Sequence, residues 1–173
     1  IYLNKTCYNG LWRVNSQGHF NVPMGRYKNP DIVNADRLRA ASEALRGVTL
    51  DVRSFEDVTG LAQPGDFVYF DPPYHPLSPT ANFTSYGADD FGPDDQRRLA
   101  GVFAELDHKG CRVMLSNSDT DFVRELYHPY RIETVSARRA INSAKRNRGP
   151  IREVVVVNYE PCSGDRAAPL PRV

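Results

Sequence analysis

The sequence predicts an α/β fold organised around a mainly parallel sheet. Two observations carry that expectation. Short runs of β-branched and aromatic residues, bounded by Gly, Pro or Asp, alternate with stretches whose apolar residues recur at helical spacing. The 173 residues are 40% apolar and show no internal repeat, which suffices for a core in one domain or in part of a larger one and excludes wholesale disorder.

The elements follow in chain order. Residues 1–30 stand apart, rich in Asn, Gly and Tyr, with a turn at Asn15-Ser16-Gln17-Gly18 between two short extended pieces. They read as a loop or ribbon projecting from the sheet rather than joining it. Residues 36–46 set Leu38, Ala41 and Leu45 on one helical face, with Gly47 as the stop. Residues 48–52 form a first expected strand, and residues 66–70 a second that reads as buried. A helix over 93–108 opens with Pro93 and two acids, then repeats Leu99, Val102, Phe103 and Leu106 on one face. Strands are expected at 111–116, 130–135 and 151–159, with a short helix at 119–127 carrying Phe122, Val123 and Leu126. The tail at 162–173, with Pro169 and Pro171, is expected to be disordered.

Composition narrows the function classes. The longest apolar run, Val154 to Val157, is far short of the roughly 20 residues of a bilayer-spanning helix, so no membrane partner is expected. No secretory leader opens the residues given. Cys7, Cys111 and Cys162 are odd in number and far apart, suggesting neither a disulfide framework nor a zinc site; a reducing, cytoplasmic setting is the expectation. No His pair has metal-ligand spacing, and no Glu-x-Lys cluster beside a paired acid suggests a nuclease. The net charge of +1 hides two arms free of acid: Lys5, Arg13, Arg26 and Lys28 in residues 1–30, and Arg138, Arg139, Lys145, Arg146 and Arg148 in residues 134–150. Basic arms around a neutral body suit a polyanion, although charged loops are also common on surfaces.

One tetrapeptide carries chemistry. Asp71-Pro72-Pro73-Tyr74 follows directly on the expected strand at 66–70, and in open α/β sheets sites form just beyond the carboxyl ends of strands. Two prolines fix the backbone and remove two donors, leaving carbonyls free to face a ligand. The Asp71 carboxylate and the Pro72 carbonyl are two acceptors, and Tyr74 a flat ring. Together they suit a planar group bearing an exocyclic amine, such as a nucleobase. Two acceptors on one amine draw its lone pair out of conjugation and make it a nucleophile. His75 follows directly and either lines this site or sits in an exposed loop. Ser116 to Ser118 lacks the Gly-x-Ser-x-Gly setting of a nucleophile and reads as structural, at a strand end.

These residues resemble a known family. Asp71-Pro72-Pro73-Tyr74 is the signature of amino-directed methyltransferases. The stretches LNKTCYNGLWRVN at 3–15 and GHFNVPMGRYKNP at 18–30 are similar to the recognition hairpin of Dam-like, D12-class DNA adenine-N6 methyltransferases. PLSPTANFTSY at 76–86, LSNSD at 115–119, RRAINS at 138–143 and the final strand ending at Asn158 and Tyr159 also match, over roughly residues 1–161. The resemblance implies a Rossmann-like sheet dependent on S-adenosylmethionine, no metal, and double-stranded DNA as partner. It implies base flipping and GATC as the target. Asp71, Pro72, Pro73 and Tyr74 would be catalytic, with Asp71 also touching the methyl donor. Ser54 and Phe55 would bind the donor, Phe55 against its adenine ring, unless Phe55 is plain core packing. Tyr8, Asn9, Leu11, Arg13, Asn15, Pro23, Arg26, Tyr27 and Lys28 would meet DNA, Arg13 by a bidentate contact to guanine or as a phosphate anchor. Arg138 and Arg139 would meet phosphates.

The resemblance also divides the chain into the end of a target-recognition region at 1–30, the C-terminal part of a catalytic domain at 31–161, and the tail. Complete family members begin with a lysine-containing arm and a strand with a Phe-x-Gly-x-Gly-type loop that binds the donor's methionine part. Gly10, Gly18 and Gly25 all fall in the hairpin instead. The sheet is therefore expected to be incomplete and the chain alone to bind the donor weakly or not at all. The missing N-terminal segment is a further candidate partner, whether it stands on another chain, is lost from the gene or lies outside the residues given. Two other classes stay open: a DNA-binding remnant without catalysis, and a methyltransferase acting on RNA or a protein amide.

Overall fold

A computed structural model describes residues 1–77, 91–138 and 150–160. The expectations at 78–86, 139–149 and 162–173, including the tail, lie outside the described residues. The chain divides into two compact units, Ile1–Val52 and Arg53–Val173.

The first unit holds α1 (Tyr2–Thr6) and α2 (Ala35–Ala44), with a hairpin-like stretch between them. Antiparallel bridges join Cys7 to Met24 and Val14 to Phe20. The turn expected at 15–18 closes the inner bridge: Asn15 Oδ1 accepts the Gln17 and His19 amides, and Gly18, at φ +78°, donates to Asn15 O at 2.9 Å. A Cβ on Gly25 would lie 2.2 Å from the Tyr27 ring and 2.9 Å from Cys7 O, so the outer bridge needs glycine there. Asn34 caps α2 by accepting the Arg37 amide at 3.0 Å. No side chain of α2 is buried, Leu38 included.

The second unit contains α3 (Val58–Leu61), β1 (Phe67–Phe70), α4 (Pro93–His108), β2 (Arg112–Ser118), α5 (Asp121–Leu126), β3 (Arg131–Arg138) and β4 (Pro150–Val157). Its sheet has the order β1-β2-β4-β3. Only β1 and β2 run parallel; β4 is antiparallel to both β2 and β3. The mainly parallel order expected from the sequence is therefore corrected to a mixed sheet, because β4 lies between β2 and β3 and pairs antiparallel with each.

α4 starts as its sequence requires. Pro93 occupies the first turn, and the Asp95 carboxylate accepts the Gly92 amide at 2.8 Å. Its buried stripe is Gln96, Leu99, Val102, Phe103 and Leu106, and Gly110 at φ +83° turns the chain into β2. The stripe packs with Val113, Leu115, Val123, Tyr127, Val154 and Val156 in one core cluster. Each such aliphatic or aromatic side chain contributes about 1.5–3 kcal/mol by leaving water. Asn158 seals the far end, accepting the Val113 amide at 2.7 Å and donating to Asp107 and to Cys111 O.

Two further expectations are corrected. Residues 48–52 form no strand; Val52 is 98% exposed and the segment pairs with no described strand. β-branched composition alone makes no strand without a neighbour to pack on. β1 is not buried on both faces: Val68 and Phe70 turn toward the core, while Phe67 and Tyr69 are 58% and 50% exposed. Among the described residues no helix is long and apolar enough to cross a membrane.

Candidate functional site

The chain leaves β1 through Asp71, Pro72, Pro73 and Tyr74, where two successive prolines end the ladder by removing its donors. Phe70 pairs with Leu115 in parallel register, so Asp71 and Ser116 emerge as neighbours. Ser116 Oγ donates to Asp71 Oδ1 at 3.0 Å. Its single proton is thereby used, so the Tyr69 hydroxyl, 2.9 Å away, donates to Ser116. Burial raises the Tyr74 pKa and outweighs the influence of the nearby Ser116 hydroxyl, which lowers it, so the phenol is neutral at pH 7. Among the described residues, Asp71 Oδ2 and the Pro72 carbonyl accept no hydrogen bond. The result is a pair of open acceptors on adjacent residues, one of them on a carboxylate whose other oxygen is held.

Behind this segment lie two buried amides. Gln96 on α4 donates from Nε2 to Pro73 O at 2.9 Å, and its Oε1 accepts from Asn117 Nδ2 at 3.0 Å. Asn117 Oδ1 accepts the His75 amide at 2.9 Å. His75 is half-buried, stacked on Phe122 at 4.6 Å, with Nδ1 3.3 Å from the Thr120 hydroxyl that caps α5. Burial lowers its pKa, so the ring is neutral at pH 7.

Ser54 starts the 3-10 turn at Phe55–Asp57 and donates to Glu56 Oε2 at 2.6 Å. Phe55 sits at the rim of the core, edge-on to Phe91 at 5.8 Å, with the Arg98 guanidinium 5.6 Å from its ring centre. Arg98 is itself held by Glu56 at 2.9 Å and by Asp95. Phe55 thus takes part in packing.

In the first unit, Tyr8, Asn9, Arg13, Asn15, Pro23, Arg26, Tyr27 and Lys28 are exposed, and Leu11 is half-buried. Asn9 adopts the left-handed conformation at φ 55° and thrusts the chain into a tight turn. Arg13 is fixed across the hairpin: Nε donates to Asn21 Oδ1 at 2.8 Å and Nη2 to Asn21 O at 3.2 Å. Arg138 closes β3 opposite Pro150. Arg139, Lys145, Arg146 and Arg148 lie outside the described residues. Cys7 and Cys111 are free and buried.

Ser116 to Ser118, expected to be structural at a strand end, are buried at the end of β2, where Ser116 bonds Asp71 and Asn117 bonds the His75 amide. Gln96 was not among the residues expected near the site. The signal was present: Gln96 lies three residues before Leu99 on an otherwise apolar stripe.

Comparison with known proteins agrees with these features. Residues 1–141 match the family described as D12 class N6 adenine-specific DNA methyltransferase. The chain is 48% identical over 161 residues to the type II methyltransferase M.MjaIII of Methanocaldococcus jannaschii, covering 92% of this chain and 56% of that protein. It is 47% identical to the type II methyltransferase M1.LlaDCHI of Lactococcus lactis subsp. cremoris, covering 92% and 57%. With the DNA adenine methylase of Escherichia coli (strain K12) the identity is 38%, covering 93% and 57%. The chain thus spans little more than half the length of these relatives. The family match and the identities together mean that the chain belongs to the D12 class N6 adenine-specific DNA methyltransferases.

Proposed function

We propose that this chain carries the target-base and sequence-reading parts of an enzyme that methylates adenine N6 in double-stranded DNA, at GATC, after flipping the base. The observation that carries this reading is the open acceptor pair after β1, Asp71 Oδ2 and the Pro72 carbonyl, with Ser116 holding the other carboxylate oxygen. Each acceptor takes one N6 hydrogen, and the amine's lone pair becomes available for attack. The Tyr74 ring stacks on the base, which must leave the duplex to reach this pocket. GATC is supported by the hairpin's likeness to the family's recognition element. Arg13 reads a guanine, Tyr8 and Asn9 enter or fill the stack near the displaced base, and Leu11 and Tyr27 contact base edges or adjoining phosphates. Asn15, Pro23, Arg26, Lys28, Arg138 and Arg139 meet neighbouring base edges and phosphates.

S-adenosylmethionine, when bound, supplies the electrophilic methyl group. The described residues fit part of it. An Asp71 carboxylate at the strand end suits a cationic sulfonium, and Ser54 and Phe55 are the residues proposed to meet the adenine ring, with the Arg98 guanidinium 5.6 Å from the Phe55 ring centre. No metal is part of this reading.

The alternative reading is a DNA-binding remnant without catalysis. Tritium transfer from labelled S-adenosylmethionine to a GATC duplex separates the two. It is measured with the chain alone and with the N-terminal portion of M.MjaIII added. We expect transfer on complementation, absent from a duplex with a changed site. Asp71→Ala should lower it by at least about 10²–10³-fold while leaving duplex binding unchanged. Site-specific binding without transfer in either preparation would establish the remnant. Equal transfer to RNA or to a peptide amide would overturn the DNA assignment.

A further inference from the structure

Gln96 and Asn117 are 1% and 0% exposed, and burying two amides is costly unless their hydrogen bonds are met. An apolar pair at positions 96 and 117 would fill the space between Leu99 and the sheet with no buried amide to satisfy. The amides do something an apolar pair would not. Their outer atoms reach the backbone on both sides of Tyr74: Nε2 of Gln96 holds Pro73 O, and Oδ1 of Asn117 holds the His75 N–H. Their inner atoms bond each other, so neither side chain can turn without releasing its partner. Asn117 and Ser116 are successive residues of one strand and point to opposite faces. The end of β2 therefore grips the segment from both sides, Asp71 by Ser116 and the peptide groups around Tyr74 by the amide pair.

We infer that Gln96 and Asn117 are positioning residues for methyl transfer, an amide clamp that fixes the peptides flanking Tyr74 and so aims the Pro72 carbonyl and the Tyr74 ring. The inference rests on the proposed role of Asp71 to Tyr74 in holding the amine. It separates from the bland alternative, core filling, by its dependence on a donor at position 96.

The test uses the intact chain and two variants. In Gln96→Leu, amide hydrogen-exchange protection of the His75 N–H should fall about tenfold while Leu115 and Val156 keep theirs. Gln96→Glu is the conservative probe. Its carboxylate keeps the acceptor for Asn117 but offers Pro73 O no proton. A buried carboxyl takes up a proton readily, and the resulting acid is isosteric with glutamine and donates again. Protection in Gln96→Glu should therefore be low once the carboxyl is ionised, in mildly alkaline solution, and return toward wild type, compared at the same pH, as the pH is lowered and the acid form takes over. Unchanged His75 protection in both variants would overturn the clamp. So would a uniform loss across all sheet amides, which would mark Gln96 as merely structural. In the complemented preparation, Gln96→Leu should lower kcat by about 10²-fold with duplex Kd held within about twofold, the scale of a misplacement near 1 Å. A matched loss in Kd with kcat kept would also overturn it. Exchange needs no turnover, so the clamp is judged even if Asp71→Ala shows that the site itself was misread.

Discussion

The two units hold their shapes by different means. In residues 1–52 only Thr6 and Cys7 are buried, and order comes from short-range hydrogen bonds: Asn15 closing its turn, Asn21 bracing Arg13, Asn34 capping α2. In residues 53–173 a continuous core joins α4 and α5 to the sheet, and the polar groups around Asp71 hang from its edge. On the proposed function, local bonds suffice to present these exposed polar side chains to DNA. A nucleophile must be aimed before it reacts, which calls for a core that resists displacement.

Breaking the core should therefore cost most. Phe103→Ala removes a ring packed on Tyr127 and Tyr130 and should destabilise the second unit by about 3–5 kcal/mol in a denaturant melt; a loss under about 1 kcal/mol would mean the core is not what holds it. In the first unit the expected loss is of recognition rather than fold. Arg13→Ala should reduce discrimination at one base pair by about 1–3 kcal/mol in competition binding, and an equal loss on matched and mismatched duplexes would make Arg13 a phosphate anchor only. Asn34→Ala should lower helix content in α2 at a cost of about 1 kcal/mol, since no buried face compensates for the lost cap. The smallest effect belongs to Asp119 at the end of β2. Its carboxyl is held below the usual range chiefly by the bond from Arg124, with Arg152 adding to it. A depressed folded pKa stabilises above the ordinary carboxyl value and loses that contribution as pH falls through the folded value. Asp119→Asn should cost less than about 1 kcal/mol at pH 7 and nothing in strongly acid solution.

The sequence made some of this legible for physical reasons. The helix at 93–108 was plain because Pro93, two acids and an unbroken apolar stripe agree with one another. Asp71 to Tyr74 stood out because two prolines after an aromatic strand are rare. What failed was whatever depends on a neighbour. Residues 48–52 have the composition of a strand and no ladder to join. The pairing of β4 between β2 and β3 is decided by which edges meet, and residues 130–135 and 151–159 read the same in either orientation. α1 and α3 are too short for periodicity to announce them. The amide pair is invisible until α4 and β2 are brought together, since Gln96 and Asn117 lie 21 residues apart.

The strand order has a consequence in time. β4, the last described strand in the chain, is an inner strand of the sheet, while β3, made before it, is an outer one. As the polypeptide emerges during synthesis, β1, α4 and β2 can assemble, but β3 has nothing to pair with until residues 150–157 arrive. Until then β2 is an open edge, and the residues that grip the tetrapeptide, Ser116 and Asn117, stand on it. A message cut short anywhere before that strand yields a product whose gripping strand is flanked by β1 alone. Completion of the site is thus tied to completion of translation through β4.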